Sequence, residues 1–135
     1  MKSYTDLEQS KKLAEILPPE SADMEYIFFK EGNVPVGKVP FVKDNSEVEN
    51  SAFSFTYNRV PCWSLAALLE QLPCEICDDE GKTGNISIYN ENDKYQLVYN
   101  SSFYEDFDDI ETDVHENLVD ACVSMIESLY ELNLI

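Results

Sequence analysis

Positive charge is scarce in this sequence of 135 residues, which has 9 Lys and Arg against 27 Asp and Glu and a net charge of −18. Proteins that bind nucleic acids directly use clustered Lys and Arg to displace the counterions of the phosphate backbone. Nine scattered cations within so negative a chain do not make such a cluster, and anionic membrane surfaces repel the chain for the same reason. We therefore expect neither direct nucleic-acid binding nor membrane binding.

Long apolar runs are also missing, since none approaches the roughly 18 residues that a transmembrane helix needs. The first residues, MKSYTDLEQSKK, are too polar for a signal peptide. The chain is nevertheless 44% apolar and 12% aromatic, which is typical of a folded protein rather than of a disordered acidic one. We expect a cytoplasmic protein that forms a single domain over residues 1–135.

Histidine occurs once, at His115, which limits acid and base catalysis near neutral pH. The spacing of Cys74 and Cys77 is C-x-x-C, and Cys62, Cys122 and His115 could complete a four-ligand zinc site. The pair follows a helix-ending proline and looks extended, however, so its two thiols would point to opposite faces of a strand. We favour structural thiols with no metal, cofactor or enzymatic activity. A small hydrolase or redox enzyme using Cys62, Cys74 or Cys77 with His115 stays an alternative.

A phosphate-binding loop is suggested by Gly81-Lys82-Thr83, but the other glycine of that motif is missing, because its position holds Ile76. The residues that follow, 85–89, have the composition of a strand, where phosphate binding needs a helix N-terminus. The motif therefore predicts a plain turn.

Hydrophobic periodicity alternates between helical and strand spacing along the chain. Thr5 and Glu8 form a capping-box pattern ahead of the first helix, and Ser64 is a good N-cap for the second. The glycines and prolines of residues 31–50 predict a strand that is short, irregular or at a sheet edge. These elements predict an α+β fold class, with a single domain in which about three helices pack on one face of an antiparallel sheet. The predicted helices span about 7–17, 64–72 and 116–132, and the predicted strands span 24–29, 52–57, 86–89 and 95–99, with 74–77 as a further possibility.

The last helix has two adjoining apolar stripes, which predict that it is largely buried. The first stripe contains Leu118, Cys122, Met125, Ile126 and Leu129, and the second contains Val119, Val123 and Tyr130.

The negative charge is concentrated towards the C-terminus, because residues 95–135 contain ten acids and no base. Residues 103–113, the acidic segment, interleave aromatic side chains with carboxylates, a combination that supplies contact area and steers a basic partner. Its other interpretation is a solubilising loop whose aromatic residues lie against the core. We hypothesise a non-enzymatic interaction or regulatory module that binds a basic partner, with a DNA-mimicking inhibitor as the alternative. The candidate partner-binding residues are Phe103, Tyr104, Asp106, Phe107, Asp108, Asp109 and Glu111.

Two segments, 61–73 and 119–132, together with 12–18 and 22–24, resemble small acidic proteins of unknown function from gut Bacteroides-type bacteria and their phages and mobile elements. The resemblance covers about half of the chain and implies no established activity, so it assigns no functional residues. It implies an accessory role such as an inhibitor, an immunity factor or a regulator of a host protein.

Overall fold

The computed structural model describes residues 2–31, 34–42, 57–101 and 107–135. These residues confirm the α+β class, with three α-helices and antiparallel strands. The helices are α1 Leu7–Ile16, α2 Leu65–Gln71 and α3 Leu118–Glu131, with a 3-10 helix at Pro19–Ser21. The strands are β1 Met24–Glu31, β2 Val34–Val42, β3 Tyr57–Cys62, β4 Glu75–Cys77, β5 Thr83–Glu91, β6 Lys94–Asn100 and β7 Ile110–Glu111.

The described strands form two antiparallel sheets where the sequence predicted one, with the orders β2-β1-β3 and β4-β5-β6-β7. The chain divides into two compact units, which we call the N-terminal unit, Tyr4–Ala67, and the C-terminal unit, Met1–Ser3 with Leu68–Ile135. Hydrophobic periodicity identifies strands but carries no information about which strands pair. The number of sheets could therefore not be predicted from it. The prediction of one domain over residues 1–135 stays a prediction.

Helix α1 of the N-terminal unit begins one residue later than its capping pattern predicted. Asp6 is the N-cap, since its Oδ1 accepts from the Gln9 amide at 2.8 Å and its own amide donates to Gln9 Oε1 at 3.1 Å. Thr5 is instead fully buried, and its hydroxyl accepts from the Trp63 amide at 3.1 Å. Thr5 and Asp6 are both favourable N-caps, and burial of the threonine decides between them.

Among the described strands of the N-terminal unit, β1 lies between β2 and β3, so β2 is at one edge. The prediction for residues 31–50 was a strand that is short, irregular or at an edge. Among the described strands β2 lies at an edge, and its pairing with β1 shifts register between Ile27 and Phe29, although β2 is nine residues long. Pro35 and Pro40 have no amide hydrogen, and an edge strand tolerates that loss because one side of it needs no partner. The predicted strand at 52–57 lies outside the described residues except for Tyr57, the first residue of β3.

The C-terminal unit is built on the predicted hairpin of β5 and β6, which both extend beyond their predicted ends. Asn92 and Asp93 form its two-residue turn with φ angles of 54° and 59°, the left-handed pair that matches the twist of a hairpin. The predicted strand near 74–77 is present as β4 at the sheet edge, and the Gly81 motif lies in the turn before β5. The turn prediction is therefore confirmed.

Helix α3 carries the largest group of buried residues in the C-terminal unit, as its two apolar stripes predicted. There are two exceptions, since 47% of the surface of Tyr130 is exposed and Leu118 is half-buried. Beyond the last helical residue, Glu131, Asn133 has a φ of 57°. The Leu134 amide donates to the Leu129 carbonyl at 2.8 Å, which is the hydrogen bond of a Schellman motif. The buried residues are Val119, Ala121, Cys122, Val123, Met125, Ile126 and Leu129.

Candidate functional site

Part of the acidic segment is a sheet edge rather than a loop. In β7, Glu111 pairs with Val98 and Ile110 pairs with Tyr99. The alignment continues beyond β7, where the Thr112 amide donates to the Leu97 carbonyl at 3.0 Å and Thr112 Oγ1 accepts from the Leu97 amide at 3.1 Å. Backbone pairing therefore positions this part of the segment.

The Phe107 side chain is only 8% exposed, which corrects its assignment to a partner-binding surface. Its ring lies against Gly84 on β5, where the absence of a side chain leaves room for it. Phe107 therefore stabilises the C-terminal unit. This arrangement fits the interpretation in which aromatic residues of the acidic segment lie against the core.

The other predicted partner-binding residues divide into two groups. Asp108, Asp109 and Glu111 are exposed, as partner binding requires. Phe103, Tyr104 and Asp106 lie outside the described residues.

The acidic charge belongs mainly to the C-terminal unit. Residues 68–135 contain 17 of the 27 acids and only two cations, Lys82 and Lys94. Lys82 lies 3.0 Å from a carboxylate oxygen of Glu80, and Lys2 lies 2.7 Å from Asp120. The cations of this unit leave most of its exposed carboxylates unneutralised.

A groove that sequence analysis missed lies on one face of the second sheet. Tyr89 pairs with Gln96 and Glu91 pairs with Lys94, so these four side chains share a face of the hairpin. Together with Asn92 and Val114 they line a cavity of about 260 Å³, which we call the sheet groove. Finding it from sequence requires the strand register, because Val114 lies far from the hairpin along the chain.

The sheet groove combines apolar surface with charged groups. Tyr89 on β5 is 51% exposed and Val114, which follows β7, is 58% exposed, so both side chains offer apolar surface to the solvent. Among the described residues, neither the Glu91 carboxylate nor the Lys94 ammonium has an ion-pair partner. Glu111 points to the same sheet face, because it pairs with Val98 two residues beyond Gln96. The Glu91 carboxylate and the Lys94 ammonium in the groove are therefore available to contact a ligand.

The four cysteines are free thiols of two kinds. Cys62 and Cys122 are buried, and burial raises the pKa of both thiols, that of Cys122 to about 12. A raised pKa keeps a thiol protonated and weakens it as a nucleophile at neutral pH. Cys74 and Cys77 are exposed on and beside β4.

The enzyme alternative requires a thiol close to His115. His115 is held by its backbone, whose amide donates to the Tyr95 carbonyl at 2.8 Å. Its Nε2 atom is buried and has no hydrogen-bond partner among the described residues, so no described thiol is hydrogen-bonded to it. The enzyme alternative stays a prediction. Within the described ranges no three His, Cys, Asp or Glu side chains are grouped in a way that could hold a metal ion.

Comparison of the chain with protein-family models, with curated proteins and with solved structures found no match. The resemblance to acidic proteins of gut bacteria and their mobile elements therefore stays a prediction. No α-helix in the described parts of the chain has the length and apolar character that crossing a bilayer requires.

Proposed function

We propose that this chain is a non-enzymatic, cytoplasmic interaction module that binds a basic partner protein through its C-terminal unit. The observation that carries the proposal is the charge of residues 68–135, which contain 17 acids and two cations. Uncompensated surface charge of one sign accelerates association with a partner of the opposite sign and fixes its orientation.

The position of the exposed carboxylates supports this proposal. Glu111 lies within β7, and Asp108 and Asp109 directly precede it, so three exposed carboxylates lie on or beside one strand. Surface carboxylates on a rigid element lose less conformational freedom on binding than carboxylates on a long loop. A regulatory accessory role is the form of this function that the sequence resemblance favours.

The test is affinity capture with the intact chain, in which neutralisation of the sheet edge is compared with neutralisation elsewhere. The Asp108→Asn/Asp109→Asn variant removes two carboxylates beside β7, and the Glu127→Gln/Glu131→Gln variant removes two from the last turns of α3. Both variants have the same net charge. We expect the first to weaken binding of a basic host protein by about threefold to tenfold and the second to change it less than twofold.

A captured basic protein whose binding weakens with salt and with the sheet-edge variant supports the proposal. Failure to capture a basic protein, or equal effects of the two variants, overturns it. Competition by duplex DNA for the captured protein would favour the DNA-mimicking form of the function, since the partner would then bind the chain through its nucleic-acid site.

A further inference from the structure

We propose that the sheet groove, lined by Tyr89, Glu91, Lys94, Gln96 and Val114, binds one Lys or Arg side chain presented by an exposed segment of a basic protein. This inference rests on the proposed function and assigns a specific recognition site to it. The groove lies on the sheet face and not at the acidic edge before β7, so the two can be tested separately.

The size of the groove fits a side chain better than a free metabolite. Its volume of about 260 Å³ lies below the roughly 300–1,000 Å³ of typical small-molecule sites. A single long side chain of a protein partner needs less space, and its backbone remains outside the groove. The groove is therefore suited to one residue of a larger ligand.

The lining matches both parts of a long basic side chain. The Tyr89 ring and the Val114 methyl groups supply apolar surface for the methylene stem, which Lys and Arg bury while their charged ends stay near water. The ring face attracts a cation, and the Glu91 carboxylate has no ion-pair partner among the described residues. Arg suits the site better than Lys, because its planar guanidinium can stack on the Tyr89 ring and form an ion pair with the Glu91 carboxylate at the same time.

The negative charge around the groove favours a positively charged ligand. Lys94 alone would favour an anion, but Glu91 offsets it within the groove, and exposed Asp93, Glu111 and Asp113 are sequence or strand neighbours of the lining residues. A second copy of the chain would bring another net charge of −18. Repulsion between two such chains disfavours a self-association face, so the groove fits a basic partner.

The experiment is a titration of the ¹⁵N-labelled chain, followed by amide chemical shifts, with the peptide acetyl-Ser-Gly-Arg-Gly-Ser-amide as the probe. The control peptide contains citrulline in place of arginine, which keeps the shape and removes the charge. We expect shift changes confined to residues 89–96 and 111–115, and binding of the citrulline peptide weaker by at least about fivefold.

Matched variants test the ring. Tyr89→Ala should weaken arginine-peptide binding by about tenfold, whereas Tyr130→Ala removes a similarly exposed tyrosine from α3 and should leave binding unchanged. Glu91→Gln should weaken binding about threefold and gives a second readout if Tyr89→Ala does not fold.

Shift changes spread over the acids at 78–80, 108–109 and 127–131 would overturn the assignment, since they indicate binding by charge alone. Equal binding of the arginine and citrulline peptides, or wild-type binding by both Tyr89→Ala and Glu91→Gln, would also overturn it. In those cases a positive affinity capture would still support the proposed function, so the two failures are distinguishable.

Discussion

The Phe107 ring occupies the space that a side chain at position 84 would need. A Cβ atom added to Gly84 would lie 2.5 Å from Cε1 of that ring, closer than two carbon atoms can approach without displacement. The glycine of β5 and the aromatic residue that precedes β7 therefore depend on each other, and the contact connects the end of the acidic segment to the sheet.

Gly84→Ala should destabilise the protein by about 1–3 kcal/mol, because the added methyl group must displace a buried ring. Denaturant unfolding measures the change. In Phe107→Leu the smaller side chain leaves room for a methyl group, so adding Gly84→Ala to that variant should cost less than it costs in the wild type. Equal costs in both backgrounds would show that the contact is not the source of the effect.

Thr5→Val should destabilise the protein by about 1–3 kcal/mol, because it removes a buried hydroxyl while keeping the shape of the side chain. That hydroxyl accepts from the Trp63 amide and forms a 2.7 Å hydrogen bond with Ser10 Oγ, and both groups would lose a partner. Thermal unfolding measures the loss. Thr5→Ser keeps the hydroxyl and should cost only about 0.8 kcal/mol for the methyl group, so a valine variant as stable as the serine variant would contradict the prediction.

Thiol labelling of the native protein should modify two of the four cysteines rapidly. Cys74 and Cys77 are exposed, whereas Cys62 and Cys122 are buried. A colorimetric disulfide reagent at neutral pH should therefore release two equivalents quickly and two more only after denaturant is added. The Cys74→Ser/Cys77→Ser variant should show no rapid phase, and rapid labelling of that variant would contradict the burial of the other two thiols.

Stability should fall as the pH rises above about 9, because burial raises the pKa of Cys122 from its ordinary value of 9.0 to about 12. Between these values the unfolded thiol loses its proton while the folded thiol keeps it, so the folded state binds more protons. The free energy of unfolding then decreases by about 1.4 kcal/mol per pH unit for this group, and below pH 9 its contribution is constant.

Urea unfolding between pH 7 and 11 measures this dependence. Cys122→Ala should lower stability at neutral pH but make the decrease above pH 9 shallower. Val123→Ala is the control, because it also shortens a buried side chain of α3 but removes no titratable group, and it should keep the wild-type slope. Parallel slopes for the wild type and Cys122→Ala would refute the assignment.

Asn133→Gly should stabilise the C-terminal end of α3 by about 0.5–1 kcal/mol. Asn133 has a φ of 57°, a left-handed conformation that glycine adopts without steric cost. Asn133→Val should instead cost about 1–2 kcal/mol, because a β-branched side chain clashes in that conformation. Differential scanning calorimetry should rank the melting temperatures Gly above Asn above Val, and any other order would contradict the motif.

Local sequence signals identified most of the described elements correctly. The α3 stripes, the Ser64 cap, whose Oγ accepts from the Ala67 amide at 3.2 Å, and the β5–β6 hairpin each depend on residues close together in the chain. The prediction of the first N-cap was wrong by one residue, because the Thr5 hydroxyl is hydrogen-bonded to the amide of Trp63, which is 58 positions away. A local pattern cannot include such a partner.

The sequence by itself determined the α+β class and the concentration of negative charge after Lys94, since both follow from composition and short-range periodicity. The tertiary structure decided which residues a partner can reach. It buries Phe107 against Gly84 and exposes Tyr89 and Val114 on one groove. Burial and groove formation depend on strand register between distant segments, and register is an outcome of the whole fold.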